Sequence, residues 1–286
     1  MNSIFLNNGN KIPILGLGTW LMDNDSACDA VKNAIKAGYR LMDTAQAYRN
    51  EEGVGKGIRA SGISREEIFV TDKVRAEYKD YKVVRELIEE SLKLLELDFL
   101  DLMLIHSPQP WPEFRIGRNY FAENKQVWKA LEDACEEGLV KSIGVSNFKK
   151  EDLKNIIEEC KIVPAVNQVL CHPGQTPFEL IDFCKTRRIA VEAYSPIAHG
   201  EAYRIDKICD MARKYKKTVS QICIRYCMEL GLVVLPKAQQ QEHLYDNLDV
   251  DFSLSSEDLA ILKNVTTSSE ERRVGKECRS RWSPYH

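Results

Sequence analysis

Apolar residues recur along the chain with two alternating periods. Ala27, Val31, Ala34 and Ile35 fall at i, i+4, i+7 and i+8, the spacing of one helix face, and Gly38 stops that helix. The stretch Tyr39-Arg40-Leu41-Met42 follows at once as a short strand. Val84, Leu87, Ile88 and Leu95 mark a further amphipathic helix, which feeds the mostly apolar strand Leu100-Asp101-Leu102-Met103-Leu104-Ile105. Val127, Trp128, Leu131, Ala134 and Cys135 predict the next helix, Gly138 its end, and Val140 to Val145 the next strand. The rhythm continues from Leu153–Cys160 into Ala165–Val169 and from Leu180–Cys184 into Ile189–Ala193. Two helical stretches, Ile205–Ala212 and Val219–Cys227, then lead into Leu232–Leu235. Ile14–Leu17 and Ile68–Thr71 complete a set of eight strands alternating with helices.

Strands alternating with helices predict a parallel sheet covered by helices. Eight such units predict an α/β fold of the (β/α)8 TIM-barrel type; an open doubly wound sheet would show the same pattern. Ile4–Leu6 and Lys11–Pro13 flank Asn8-Gly9 and predict an N-terminal β-hairpin outside the repeat. No shift in composition interrupts the chain before residue 264, so residues 1–264 are expected to form one barrel domain. The stretch from Arg272 to His286 is basic, lacks an apolar period and resembles the in-frame translation of a sequencing adapter. Residues 265–286 are therefore expected to be a non-native or disordered tail, and no function is assigned to them.

The 286 residues are 44% hydrophobic and 29% charged. That composition is ordinary for a globular protein, with enough apolar surface for a core without staples. A net charge of −3, with acids and bases interspersed, leaves no footprint for nucleic acid. The sequence opens without a basic-then-apolar leader, and no apolar run approaches the roughly 18 residues of a membrane span. A cytoplasmic protein with no membrane partner is the expectation. The nine cysteines contain no C-x-x-C pair. Cys223 and Cys227 share a helix face without a nearby histidine, so buried packing is expected and no metal site is predicted.

Chemistry gathers where the predicted strands end, which is where active sites form in such barrels. In order, the strands run into Gly18-Thr19-Trp20, Asp43, Thr71-Asp72-Lys73, His106, Ser146-Asn147, Asn167-Gln168, Tyr194-Ser195 and Pro236-Lys237. Each residue alone has a plain use: the aspartate as a helix cap, the tyrosine in packing, the lysine as a solvated charge, the histidine in an inert hydrogen bond. Together Asp, Tyr, Lys and His make a complete set for reducing a carbonyl. The reaction needs an acid that protonates the carbonyl oxygen as hydride reaches its carbon. A phenol, with an ordinary pKa of about 10, is poorly matched to neutral pH. A neighbouring ammonium such as Lys73 favours the phenolate and lowers that value. Asp43 would hold the ammonium in place, and His106 would donate a hydrogen bond to the carbonyl.

Several blocks add to this set. They are Leu15-Gly16-Leu17-Gly18-Thr19-Trp20, Asp43-Thr44-Ala45-x-x-Tyr48-x-Asn50-Glu51, Asp72-Lys73-Val74 and Leu104-Ile105-His106-Ser107-Pro108, then Gly144-Val145-Ser146-Asn147-Phe148, Asn167-Gln168 and Ala193-Tyr194-Ser195-Pro196. In these residues and this order, over about residues 3 to 263, the sequence resembles the aldo-keto reductase family. Within that family it is similar to the bacterial 2,5-diketogluconate and methylglyoxal reductases. The resemblance implies an NAD(P)H-dependent oxidoreductase that reduces aldehydes or ketones to alcohols. Asp43, Tyr48, Lys73 and His106 would be its catalytic residues, with Tyr48 the proton donor. It also implies that Ser146, Asn147 and Gln168 hold the nicotinamide amide, that Tyr194 stacks on the ring, and that Thr19, Ser195 and Pro196 contribute to the cofactor site.

The family's cofactor-phosphate block is similar to Lys237 and Ala238 followed by His243, Asp246 and Asn247, the last two on the adenine. Two departures matter: Ala238 stands where Ser is usual, and His243 where Arg is usual. An arginine is a fixed planar cation, whereas an imidazole loses its charge near neutrality, so a weakened 2′-phosphate clamp is expected. NADPH is the expected cofactor because Lys237 remains, with NADH the alternative. A small-molecule carbonyl compound is the expected partner and a monomer the expected state, both by resemblance. The competing reading is a non-catalytic nicotinamide-nucleotide-binding module of the same fold; retention of all four catalytic residues argues for turnover. A different barrel enzyme, such as an isomerase, would bind no nicotinamide.

Trp20, Arg75, and Trp111 in the long loop after His106 are the candidates for substrate contact. Trp111 lies between Pro110 and Pro112, which equally predicts loop packing. Arg75 stands where many relatives carry an aromatic or apolar residue, which predicts an anionic or polar group on the substrate. The family's C-terminal substrate loop is expected to be missing or replaced. Gly53-Val54-Gly55-Lys56-Gly57 looks like a phosphate loop but lacks a Ser or Thr after Lys56 and follows a helix-like stretch; close helix packing is expected instead. His172-Pro173 has no clustered partner and is expected in a loop.

Overall fold

The computed structural model describes residues 2–266; of the expected tail, 265–286, Val265 is buried against the core and residues 267–286 lie outside the described residues. Two antiparallel strands come first, β1 (Ser3–Phe5) and β2 (Lys11–Pro13), paired Ser3 to Pro13. Eight parallel strands follow: β3 (Leu17–Gly18), β4 (Leu41–Asp43), β5 (Phe69–Val74), β6 (Leu102–Ile105), β7 (Ile143–Ser146), β8 (Val166–Leu170), β9 (Ala190–Tyr194) and β10 (Val233–Leu235). Each pairs with its neighbour in chain order. The ends of the series also meet: Val234 N donates to Ile14 O at 2.9 Å, Gly16 N to Val234 O at 2.9 Å and Gly18 N to Pro236 O at 3.1 Å. The sheet therefore closes into a (β/α)8 barrel, and the open doubly wound alternative falls. Closure also moves the first barrel strand. Ile14 to Gly16, predicted as part of it, bond to the last strand, while only Leu17 and Gly18 pair with β4.

Ten helices wrap the barrel among the described residues: α1 (Asn24–Ala37), α2 (Glu51–Ala60), α3 (Tyr81–Leu95), α4 (Phe121–Glu136) and α5 (Lys150–Ile157), then α6 (Phe178–Lys185), α7 (Asp206–Tyr215), α8 (Val219–Glu229), α9 (Gln241–Leu248) and α10 (Ser256–Lys263). The first shows how sequence sets such an element. Asp23 caps it by accepting from Ser26 N at 2.8 Å, the Ala27, Val31, Ala34 and Ile35 face is buried, and Gly38 ends it at φ +117°. The glycine run of α2 serves packing. A Cβ on Gly53 would lie 2.1 Å from Asn24 O, and one on Gly55 2.1 Å from Leu95 O, so only glycine lets α1 and α3 come this close. Cys223 and Cys227 sit in the apolar core of α8. His172 lies in the turn after β8 with Nδ1 2.8 Å from Pro173 O.

Side chains alternate across a strand, and this alternation places the chemistry. Leu41, Phe69, Leu102, Leu104, Val166, Val233 and Leu235 fill the barrel, while Met42, Val70, Val74, Met103, Val169 and Val191 face the helices. Further along the same inner side come Asp43, Lys73, His106 and Gln168. Leu6 and Ile12 of the hairpin join the inner cluster. The hairpin is bound at the end where strands begin: Asn7 Nδ2 donates to Pro164 O at 3.0 Å, and Asn8 and Asn10 donate to Lys141 O. It plugs that end, and the polar rim lies at the other. Among the described residues no helix is long and apolar enough to cross a membrane, and no group of three or more His, Cys, Asp or Glu is placed to hold a metal.

Candidate active site

Lys73 is fully buried near the end of β5. Its Nζ lies 2.5 Å from Asp43 Oδ1, 2.7 Å from Thr44 O and 5.2 Å from the centroid of the Tyr48 ring. The ammonium is thus held between a carboxylate, a carbonyl and a phenol. Tyr48 ends a short 3-10 turn, Gln46–Tyr48, after which Arg49 turns left-handed at φ 57°. Asn50 anchors that segment. It is fully buried, donates through Nδ2 to Thr19 O at 2.9 Å and Met22 O at 3.0 Å, and accepts from Thr44 Oγ1 at 2.8 Å. His106, just past β6, stands edge-on to Tyr48 with ring centroids 5.6 Å apart.

The facing strands supply a polar set. Ser146 Oγ donates to Gln168 O at 3.0 Å. Asn147 Nδ2 donates to His106 O at 3.0 Å and to Ser146 Oγ at 3.1 Å, while its Oδ1 accepts from the Tyr194 hydroxyl at 2.8 Å. Asn147 and Ser195 both take left-handed backbone angles, φ 63° and 51°. Such strain in non-glycine residues persists where the surroundings impose it and clusters at functional sites. Gln168 Nε2 donates to Asp43 Oδ2 and to Glu192 Oε2, each at 2.8 Å.

Burial dominates the electrostatics. It pushes the Tyr48 phenol up to about 12, against the pull of the Lys73 ammonium. The sequence-based expectation that Lys73 brings this phenol below its ordinary value is therefore corrected: the ammonium acts in that direction, but loss of water outweighs it. Tyr48 is protonated at neutral pH. Burial, helped by the Lys73 and Lys79 charges, holds His106 well below the usual imidazole range, so the ring is neutral. Burial also works against the Lys73 charge, yet Asp43 and Tyr48 more than offset it and leave the ammonium more firmly protonated than usual.

A cleft of about 430 Å³ opens over these groups. Trp20, Asp43, Tyr48, His106, Ser146, Asn147, Gln168, Tyr194, Ser195, Pro196 and Lys237 all line it. Thr19 is buried behind it, its Oγ1 donating to Asp43 O at 3.0 Å, and Ala238 is buried as well. On α9, His243 and Asp246 are exposed, and Asn247 is buried beside the Tyr39 hydroxyl; none of the three lines the cleft. Trp111 packs edge-on against His106 at 5.3 Å but stands outside the lining. Arg75 also stands outside it, with Nε donating to Gln46 O at 3.3 Å.

The cleft contains residues that the sequence reading missed. Leu21, Ile197, His199, Gly200 and Tyr203 complete its wall, and His199 stands edge-on to Trp20 at 5.5 Å. Glu192 was missed too, although a single acid in the otherwise apolar stretch Ile189–Ala193 was a visible signal.

With this geometry in place, comparison with known proteins is direct. The Aldo/keto reductase family model matches residues 14–267. Glyoxal reductase of Bacillus subtilis (strain 168) is 40% identical over 276 residues, covering 96% of this chain and 95% of that protein. Methylglyoxal reductase DkgA of Escherichia coli (strain K12) is 38% identical over 275 residues, 95% of each chain. Among solved structures, a Bombyx mori aldo-keto reductase in complex with NADP superposes with a TM-score of 0.83 at 36% identity, over 92% of each chain. A closed barrel with Asp43, Tyr48, Lys73 and His106 on its open rim, matched over nearly its whole length, belongs to the aldo/keto reductase family.

Proposed function

We propose that the protein is an NADPH-dependent reductase that converts aldehydes or ketones to alcohols, with Tyr48 as proton donor. One observation supports this above the others: a fully buried ammonium, Lys73, pinned by Asp43 beside a protonated phenol at the mouth of a cleft. When bound, NADPH supplies the hydride. The chain's own groups supply the rest. Tyr48 holds its proton at neutral pH and releases it to the carbonyl oxygen, and the phenolate left behind sits against the Lys73 charge. Neutral His106 donates a hydrogen bond toward the same oxygen and steadies the negative charge that develops there.

The cleft fits a nicotinamide. Ser146, Asn147 and Gln168 gather amide and hydroxyl groups beside the Tyr194 ring, and the Bombyx mori relative solved in complex with NADP supports a nicotinamide nucleotide as the ligand. Among the described residues, Lys237 is the one Lys or Arg in the cleft wall, which supports NADPH over NADH through the extra phosphate. The likeness to glyoxal and methylglyoxal reductases supports small 2-oxoaldehydes as the first substrates to test. A cytoplasmic monomer built as one barrel domain completes the proposal, and its support is likeness to the family.

The test is NADPH consumption across a panel of aldehydes, with NADPH binding followed in parallel by quenching of protein fluorescence. Tyr48→Phe is expected to lower kcat by about 10²–10⁴ and to keep the quenching. Wild-type protein that binds NADPH and consumes none with any aldehyde would overturn the proposal in favour of a binding module.

A further inference from the structure

Inside the barrel, on β9, stands a carboxyl group that the reduction as described does not use. Glu192 is fully buried and directly opposite Gln168 in the β8–β9 register. Its Oε2 accepts from Gln168 Nε2 at 2.8 Å, and its Oε1 has no hydrogen-bond partner among the described residues. The same Gln168 nitrogen donates to Asp43 Oδ2 at 2.8 Å, and Asp43 in turn holds Lys73. An unbroken chain of hydrogen bonds therefore runs from Glu192 through Gln168 and Asp43 to the ammonium beside Tyr48.

Resting on the reductase reading above, we infer that Glu192 is a positioning residue for the reduction, setting the orientation of the Gln168 amide and the net charge felt by Tyr48. The amide argument is one of valence. Both Nε2 hydrogens of Gln168 are spent on two carboxyl groups, so Oε1 is the atom this side chain has left for a ligand. The charge argument is one of counting. From β4 comes the Asp43 carboxylate, from β5 the Lys73 ammonium and from β8 the neutral Gln168, while the β10 register neighbour, Val233, carries no charge. One buried ammonium balances one carboxylate, and Lys73 is engaged directly by Asp43, so Glu192 keeps its proton. Burial, then the nearby Asp43 charge, pushes its pKa up to about 8. Below that value the cluster is neutral overall. Above it, Glu192 ionises, the cluster becomes negative, Tyr48 grips its proton more tightly, and charge on the carbonyl oxygen is less welcome.

The experiment is the pH dependence of kcat/KM for an aldehyde, in the wild type and in Glu192→Gln. The wild type is expected to lose activity on the alkaline side with an apparent pKa near the Glu192 value of about 8. In Glu192→Gln that limb should move by more than about one pH unit, because the titrating group is gone. A residue acting only in packing would change expression or melting temperature and leave the limb where it was. Lys79, pushed down to about 7 by burial, titrates in the same range, and Lys79→Met distinguishes the two. A limb that moves in Lys79→Met and stays in Glu192→Gln overturns the inference. If Glu192→Gln does not fold, Glu192→Asp keeps the acid but withdraws it from Gln168 by one methylene, and the limb should shift there too; an unmoved limb overturns the inference equally. A wild type with no turnover at any pH instead removes the reductase reading itself.

Discussion

Removing Lys73 and Asp43 separately and together tests whether the buried pair acts as a unit. The side chains are 0% and 6% exposed, so the surface-pair magnitude of about 0–1 kcal/mol does not apply. Lys73→Met strands a carboxylate whose other oxygen is bonded only to the Gln168 amide. Asp43→Asn strands an ammonium left with Thr44 O and Tyr48. Each single change leaves an uncompensated buried charge and is expected to cost about 3–5 kcal/mol in urea or guanidinium unfolding. The double variant buries no charge, and the amide oxygen introduced at position 43 can still accept from Gln168. Its cost should fall short of the sum of the singles by about 3 kcal/mol. Activity should behave differently. Lys73→Met takes away the one charge that pulls on the Tyr48 proton, and kcat should drop by about 10²–10⁴ in the single and double variants alike. Stability recovered without activity is the signature. Additive unfolding costs, or turnover in Lys73→Met within about tenfold of wild type, would refute the reasoning.

Lys237→Met should weaken NADPH binding by about 10–100-fold, the worth of one charged contact, and NADH binding far less; equal losses for both would show that this lysine does not read the phosphate. Asp258, in α10, accepts from Lys214 at 2.7 Å, Tyr215 at 2.5 Å and Ser255 at 2.8 Å. The Lys214 and Tyr215 hydrogen bonds draw its pKa from 3.8 to about 2. A depressed carboxyl stabilises the fold above its ordinary value, and that contribution is lost as pH falls through the folded value. The melting-temperature gap between wild type and Asp258→Asn should thus be full at neutral pH and close toward pH 2; a constant gap would refute this.

Much of the rim could be read from the sequence because the strand period is strict. Once Leu41 and Leu104 face inward, Asp43 and His106 must as well, and no packing detail can change that. Tyr48, the proposed proton donor, was less accessible to that period. Tyr48 sits on a 3-10 turn aimed by Asn50 contacts to Thr19 and Met22, which no period encodes. The segment Ala198–Gly200, which brings His199 and Gly200 into the wall, was hidden for a related reason. These three residues take φ of 51°, 54° and 96°, a path imposed by the surrounding fold. Burial also escaped the reading, and with it the high pKa of Tyr48 and the proton on Glu192. Arg75 stood out as a charge in an unusual place, yet its side chain turns back onto Gln46.

The hairpin that stoppers the barrel has a consequence for how such a protein changes over time. The cleft over Asp43, Tyr48 and His106 gives one end of the cylinder a door, while the hairpin keeps the opposite end shut. Loops around the door can be lengthened, shortened or recoloured with new side chains, and the floor neither feels the change nor needs to answer it. Selection can therefore explore new substrates at one pole without renegotiating the fold at the other.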